Sequence, residues 1–310
     1  MTLMKLRPLY VCLVVLGAVC LYLSTGSLTL FREDPIHLQK DHGKFLQLPV
    51  VDCGQDAPFL LLLVTSSPEQ ASTRDIIRRT WGGIRTALGR PVRSFFLLGN
   101  PARPDVRAQL AEEGQRHGDL IQKDFLDVYS NLTLKTMMGI QWVQHFCPQA
   151  DFVMKTDTDM FINVPYLVEL LLQKNRTSRF FTGFLKMHDL PIRDKYNKWF
   201  VSKQEYPGER YPPFCSGTGY VFSSDVATLV ANVSESVPFI RLEDVFVGLC
   251  LERVGIVPEP LHSQQTFFPG GLPFSPCRFR RVVACHYVKP QDILKYWDAM
   301  ESSRGQECPP

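Results

Sequence analysis

Hydrophobic positions fall along the chain in three regimes. Residues 9–23 (LYVCLVVLGAVCLYL) form an unbroken apolar run, Lys5 and Arg7 precede it, and uncharged small or apolar residues continue to Phe31. A bilayer core takes roughly 20 such residues, so the run predicts a short signal-anchor helix over 8–28. The basic flank is N-terminal, which by the positive-inside rule leaves residues 1–7 in the cytosol and the rest in a lumen. A cleaved secretory signal is the alternative, because Ser24 and Gly26 are small enough to frame a peptidase site. Residues 29–56 are polar, carry Pro35, Lys40 and Gly43, and show no sustained period, as expected of a luminal stem.

From residue 57 to 310, short apolar runs alternate with stretches of helical period, the pattern of βα units around a largely parallel sheet. One α/β catalytic domain is predicted. Strands are expected at 59–65, 92–98, 119–125, 150–155, 180–185 and 219–222. Helices are expected at 104–117, 132–146, 165–173, 243–253 and 290–300, one more from 224, and one capped by Ser72 or Thr73 that carries Ile76, Ile77 and Trp81. Residues 186–214 lack a period and are rich in Tyr, Trp, Pro and charge, which suits a substrate-contacting excursion. Cys215-Ser-Gly-Thr-Gly219 follows as a turn of small residues that lets backbone approach a ligand.

Composition narrows the class. A hydrophobic content of 45% suits a packed core, and 34 Lys plus Arg against 31 Asp plus Glu give a net charge of +3. That balance does not predict a polyanion as partner, so nucleic acid is not expected. Of nine cysteines, two lie in the apolar run and seven beyond it, without zinc-site spacing. In an oxidising lumen they read as disulfide formers, with at least one left free or paired between chains. Sequons at Asn131, Asn175 and Asn232 agree with luminal exposure and N-glycosylation.

The candidate chemistry is acidic. Asp157 and Asp159 leave the carboxyl end of the strand at 150–155, where open α/β sheets bind ligands. Carboxylates two apart there can share a divalent cation that bridges to a diphosphate; the plainer alternative is a solvated pair capping the next helix. Glu243 and Asp244 open an apolar helix, where acids satisfy free N–H groups, yet either carboxylate could act as a general base. His286, in the apolar run 282–288, could supply a third metal ligand, with His262 as competitor. Arg74, Arg78, Arg79 and Lys135 are candidate diphosphate partners. No nucleophile elbow, HExxH or dinucleotide GxGxxG occurs, so peptidase and hydride chemistry lack support.

Taken together, Arg78-Arg-Thr-Trp-Gly82, Lys123-Asp-Phe125 with Tyr129 and Asn131-Leu-Thr-Leu-Lys135, Lys155-Thr-Asp157-Thr-Asp159, Tyr211-Pro-Pro-Phe-Cys-Ser-Gly-Thr-Gly219 and Glu243-Asp-Val245 resemble the beta-1,3-glycosyltransferase family in order across 58–300. Within it the chain is most similar to the beta-1,3-galactosyltransferases. The resemblance implies a GT-A type fold, a UDP-galactose donor, Mn2+ or Mg2+, and inverting transfer to the 3-hydroxyl of a terminal N-acetylglucosamine on a glycoprotein or glycolipid glycan. It also implies a type II protein of the Golgi membrane. Carried over by motif, Asp157, Asp159 and His286 hold the metal, Asp157 faces the sugar nucleotide, and Asp244 is the catalytic base. Arg74, Arg78 and Lys135 fall where the family holds the diphosphate. Glu243 and Trp199 are expected at the acceptor, with Tyr206 and Phe214 as further rings that could stack on sugars. Many relatives carry three consecutive acids where this chain has Asp-Thr-Asp. A relative's N-acetylglucosaminyl transfer and a non-catalytic glycan-binding role are the competing readings.

Overall fold

The computed structural model describes residues 44–308. The anchor expected at 8–28, the tail at 1–7 and the start of the stem lie outside the described residues. Among the described residues, no helix is long and apolar enough to cross a membrane.

The architecture is α/β. Strand β2 (Leu60–Thr65, LLLLVT) is buried at every position, as a strand covered on both faces must be. It pairs in parallel with β4 (Arg90–Asn100) and with β6 (Phe152–Asp157). The parallel strand β5 (Leu120–Leu126) and the antiparallel β1 (Phe45–Gln47) complete one side. On the other, β9 (Phe214–Ser223) and β8 (Phe181–Lys186) are antiparallel. The order is β1-β5-β4-β2-β6-β9-β8, with β3 (Thr86–Ala87) paired to β4. A second sheet joins β7 (Met160–Ile162), β10 (Phe267–Phe268) and β11 (Ala284–His286) in the order β10-β11-β7.

Period-two alternation splits the core. Leu60, Leu62 and Val64 enter one apolar cluster with Trp81, Phe161 and Ile293, while Leu61 and Leu63 enter a second with Trp142, Phe222 and Phe246. Helices α1 (Ala71–Arg79), α4 (Val164–Lys174), the short α7 (Pro276–Phe279) and α8 (Pro290–Ser302) contribute to the first; α3 (Leu132–Phe146), α5 (Ser224–Ser234) and α6 (Glu243–Arg253) contribute to the second. Helix α2 (Pro104–His117) ends at Gly118, which takes a left-handed φ of 62°, a conformation that costs glycine little. Gly139 lets α3 lie close on the sheet: a Cβ there would come within 2.7 Å of Leu97 Cδ1.

Several local expectations are corrected. Ser72 and Thr73 lie inside α1, whose N-cap is Gln70, and Trp81 falls in a short 3-10 turn beyond its end. Cys215 to Gly219 is not a separate turn. It belongs to β9, where the pairing with β8 jumps from Gly183↔Tyr220 to Leu185↔Cys215, leaving the small residues as a wide bulge. Part of the expected stem is built into the fold, since β1 pairs with β5 and Cys53 is disulfide-bonded to Cys147.

Among the described residues four cysteines are paired, Cys53–Cys147 and Cys277–Cys308, and Cys215, Cys250 and Cys285 are buried free thiols. The expectation of disulfides with at least one cysteine left over is met by two bridges and three remaining thiols, which pack as small apolar groups. Burial pushes the Cys250 thiol up to about 12, so it carries little thiolate character. Of the sequon asparagines, Asn175 and Asn232 are exposed, whereas Asn131 is half-buried and donates to the Leu126 carbonyl at 2.9 Å.

The Cys53–Cys147 bridge closes a separation of 94 residues, and a closure of that length stabilises by restricting the unfolded chain. Replacing both partners by Ser should cost about 2–5 kcal/mol in guanidinium denaturation; an unchanged midpoint would show that β1 and its neighbourhood do not need the bridge.

Candidate active site

Alternation along β6 puts Lys155 and Asp157 on one face. Lys155 is 4% exposed, and its ammonium spends its three donors on Asp157 Oδ1 at 2.8 Å, the Gly217 carbonyl at 2.6 Å and Glu243 Oε1 at 3.0 Å. Burial opposes this charge, but the two carboxylates outweigh it and hold the Lys155 pKa above its ordinary value. Thr65 Oγ1, from the end of β2, also donates to Asp157 Oδ1. Both bonds land on one oxygen, so Oδ2 remains available to a ligand.

Glu243 opens α6 and is buried, with Oε2 accepting from the Tyr220 hydroxyl at 3.0 Å. Burial pushes its pKa up to about 7; Lys155 pulls the other way, and Asp244 and Asp157 add to the rise. The neighbouring Asp244 is held by backbone: Gly217 N–H donates to Oδ2 at 3.0 Å and Val245 N–H to Oδ1 at 2.9 Å. Burial raises the Asp244 pKa despite those bonds. Gly217 thus sits between Lys155 on its carbonyl and Asp244 on its N–H. A Cβ there would lie 2.5 Å from Glu243 Oε1, which explains the small residue.

Beyond β6 the chain turns through Thr158 and Asp159 into β7, and the register Met160↔His286 brings His286 opposite that turn. Val288 N–H donates to the Asp159 carbonyl at 3.0 Å, and buried Trp81 donates its indole N–H to the Met160 carbonyl at 3.1 Å. His286 Nδ1 faces the Pro269 carbonyl at 2.9 Å, and Nε2 lies 3.1 Å from Asp159 Oδ2. Burial lowers the His286 pKa, but Asp159 and Pro269 outweigh it and raise it overall; against the opposing effect of burial, His286 holds the Asp159 carboxyl below its usual value.

This donor chemistry fits a divalent cation. With Nδ1–H given to Pro269, the neutral imidazole turns its Nε2 lone pair toward a carboxylate, and the two attract only through a shared cation or proton. Among the described residues, no group of three or more His, Cys, Asp or Glu could hold a metal. One carboxylate and one imidazole are donors that Mn2+ or Mg2+ would accept. His262 is elsewhere, its Nδ1 accepting from Gln264 N–H at 3.0 Å.

These groups line one cavity of about 650 Å³, shared by Lys155, Asp157, Asp159, Glu243, Asp244 and His286. Trp199, 44% exposed, and Phe214 stand on its wall. Lys198 lies 4.4 Å above the Trp199 ring. Tyr206 instead packs 5.0 Å from Tyr211 and donates to the Arg210 carbonyl. Arg193 organises the excursion, reaching the carbonyls of Val201, Ser202, Tyr206 and Gly208 at 2.8 Å each.

Three expected diphosphate contacts are placed differently. All five N–H donors of Arg74 are engaged, by Glu113, Ser66, Ser67 and Pro68. Arg78 pairs with Glu113 and Asp119 and covers the Phe96 ring at 4.8 Å. Lys135 donates to the Ser66 carbonyl and to Asp127 Oδ1, both at 2.6 Å. None of the three is among the residues lining the cavity; they brace the strand ends behind it. Glu243 does line it, but both its oxygens face inward partners. Sequence reasoning gave no role to Lys155 or Tyr220 and placed Gly217 only within a turn of small residues. The available signal was a lysine inside an apolar strand two residues before an acid, because a buried ammonium requires carboxylates.

With this geometry in place, known proteins agree on the class. A protein-family model described as Galactosyltransferase matches residues 72–262. Beta-1,3-galactosyltransferase 5 of Homo sapiens is 64% identical over 306 residues, 99% of this chain and 98% of that protein. Beta-1,3-galactosyltransferase 2 of Homo sapiens is 39% identical over 276 residues, 88% of this chain and 65% of that protein. Among solved structures, galactosyltransferase LgtC with donor and acceptor sugar analogues covers 80% of this chain and 97% of its own at 13% identity and a TM-score of 0.39. The chain belongs to the galactosyltransferase family.

The raised Glu243 pKa has a measurable sign. Between its unfolded value of 4.5 and about 7, the folded state binds more protons, so stability falls as pH rises through that window. Asp244 and His286, also raised, act in the same sense. Glu243→Gln should flatten part of the decline in urea midpoint between pH 4.5 and 7; an unchanged slope would remove Glu243 as its source.

Proposed function

We propose that this enzyme, a beta-1,3-galactosyltransferase, moves galactose from UDP-galactose to the 3-hydroxyl of a terminal N-acetylglucosamine with inversion, on a GT-A type scaffold. One observation carries the reading: the Asp159–His286 pair and the backbone-held Asp244 open onto the same cavity. A diphosphate site and a proton acceptor are the two requirements of direct displacement at an anomeric carbon.

Asp244 takes the proton from the acceptor 3-hydroxyl as that oxygen bonds to the anomeric carbon. The carbon–oxygen bond to UDP breaks, and its electron pair leaves with the diphosphate. Single displacement inverts the centre. The Gly217 N–H fixes the carboxylate, and its raised pKa makes it a stronger base than an ordinary aspartate. Asp157, tied by Thr65 and Lys155 through Oδ1, offers Oδ2 to the sugar nucleotide. Asp159 and His286 would hold Mn2+ or Mg2+, which would supply positive charge to the departing phosphate. Trp199 gives the acceptor an exposed ring on which a sugar face can stack. Glu243 acts through Lys155 rather than on substrate.

Exposed sequons at Asn175 and Asn232 and two disulfides support a luminal setting. We place the chain in the Golgi membrane with its catalytic domain luminal, facing glycoprotein and glycolipid acceptors. A donor panel separates galactosyl from N-acetylglucosaminyl transfer, and absence of metal-dependent UDP release would favour a binding role.

Asp244→Asn should lower kcat by about 10²–10⁴ while UDP and Mn2+ binding, followed by calorimetry, stay near wild type. Near-normal turnover would exclude Asp244 as the base.

A further inference from the structure

Tyr287, next after His286, combines three unusual properties. Its backbone takes φ = 60°, a left-handed conformation that is an outlier for a bulky side chain. The residue is 67% exposed, so packing does not account for that conformation. Its ring nevertheless lies on the imidazole, with centroids 3.9 Å apart and planes inclined by 29°. Strain retained at a cavity wall without burial points to a function for the side chain.

Extended backbone would send consecutive side chains to opposite sides of β11. The left-handed residue breaks that alternation, and the Tyr287 ring comes back over its neighbour. His286 is then restrained in three ways: Nδ1 at the Pro269 carbonyl, Nε2 at Asp159, and the ring face under Tyr287. Hydrogen bonds at the two nitrogens still allow the ring to rock about the line joining them, and stacking opposes that motion. Gly271, itself left-handed at φ = 77°, lies beside the arrangement, and a Cβ there would stand 3.3 Å from the His286 carbonyl. We propose that Tyr287 is a positioning residue that clamps the His286 imidazole in its metal-ligating orientation by stacking across its face. This rests on the reading of Asp159 and His286 as cation ligands.

The test is Mn2+ titration of the detergent-solubilised full chain with UDP present, reading free Mn2+ by electron paramagnetic resonance, alongside thermal unfolding. Tyr287→Gly removes the ring and relieves the left-handed strain; it should weaken Mn2+ binding about tenfold, the scale for groups that orient a ligand, with an unchanged or higher midpoint. Tyr287→Phe keeps the stack and should bind within about twofold of wild type, well inside that scale. His286→Ala should bind at least as weakly as Tyr287→Gly. If His286→Ala leaves Mn2+ affinity intact, the metal reading fails. If His286→Ala weakens binding and Tyr287→Gly does not, the clamp is overturned while the metal reading stands. Equal losses in the Phe and Gly variants would also overturn it, because the hydroxyl would then be the acting group. So would weakened binding accompanied by a lower midpoint in both Tyr287→Gly and Tyr287→Asn, since asparagine tolerates this backbone and the ring would then be supporting the fold.

Discussion

The site depends on one buried charge. Lys155 carries its ammonium into the sheet and is tolerable there only because three acceptors complete its shell. Those acceptors come from three elements: the end of β6, the bulge of β9 and the first turn of α6. An unpaired ammonium at that depth would cost several kcal/mol, so the fold must bring the three together. Doing so fixes Asp157, turns the Gly217 N–H toward Asp244 and holds Glu243 inward. Acidic residues that repel one another are kept at one cavity by the cation among them.

The second constraint is mechanical. The turn through Thr158 and Asp159 lies between two sheets, anchored on one side by β6 and on the other by the β7–β11 pairing. Trp81, through its indole N–H, and Val288, through its backbone N–H, tie the same turn at its carbonyls. The basic residues of α1 and α3 complete the frame: Arg74 and Arg78 bind α1 to Glu113 and Asp119, and Lys135 joins the ends of β2 and β5. Basic motif residues that look ready for a diphosphate are spent on structure, because buried carboxylates and carbonyls at the strand ends claim them first.

Much of this was legible in the chain. Helices α2 and α3 and the fully buried β2 follow from period and composition, and Asp157 and Asp159 fall as expected at the carboxyl end of a strand, the first closing β6 and the second in the turn after it. Short pieces were not legible. β7, β10 and β11 have two or three residues each, too few to show a period, and the β9 bulge hid a strand behind small residues. Lys155 looked like an unremarkable strand residue because two of its three partners lie 62 and 88 positions away.

Local chemistry determined the elements, the α/β class and the identity of the acids able to handle a proton or a metal, since these depend on near neighbours and side-chain type. The tertiary structure decided which acid is which. Asp244 and Glu243 are adjacent in sequence and both open α6, yet one is bound to backbone at the cavity and the other is committed to Lys155 and Tyr220. His286 was the favoured candidate with His262 as its competitor, and strand register is what puts His286 3.1 Å from Asp159. Such roles are set by contacts across long sequence separations, and only the closed fold specifies those contacts.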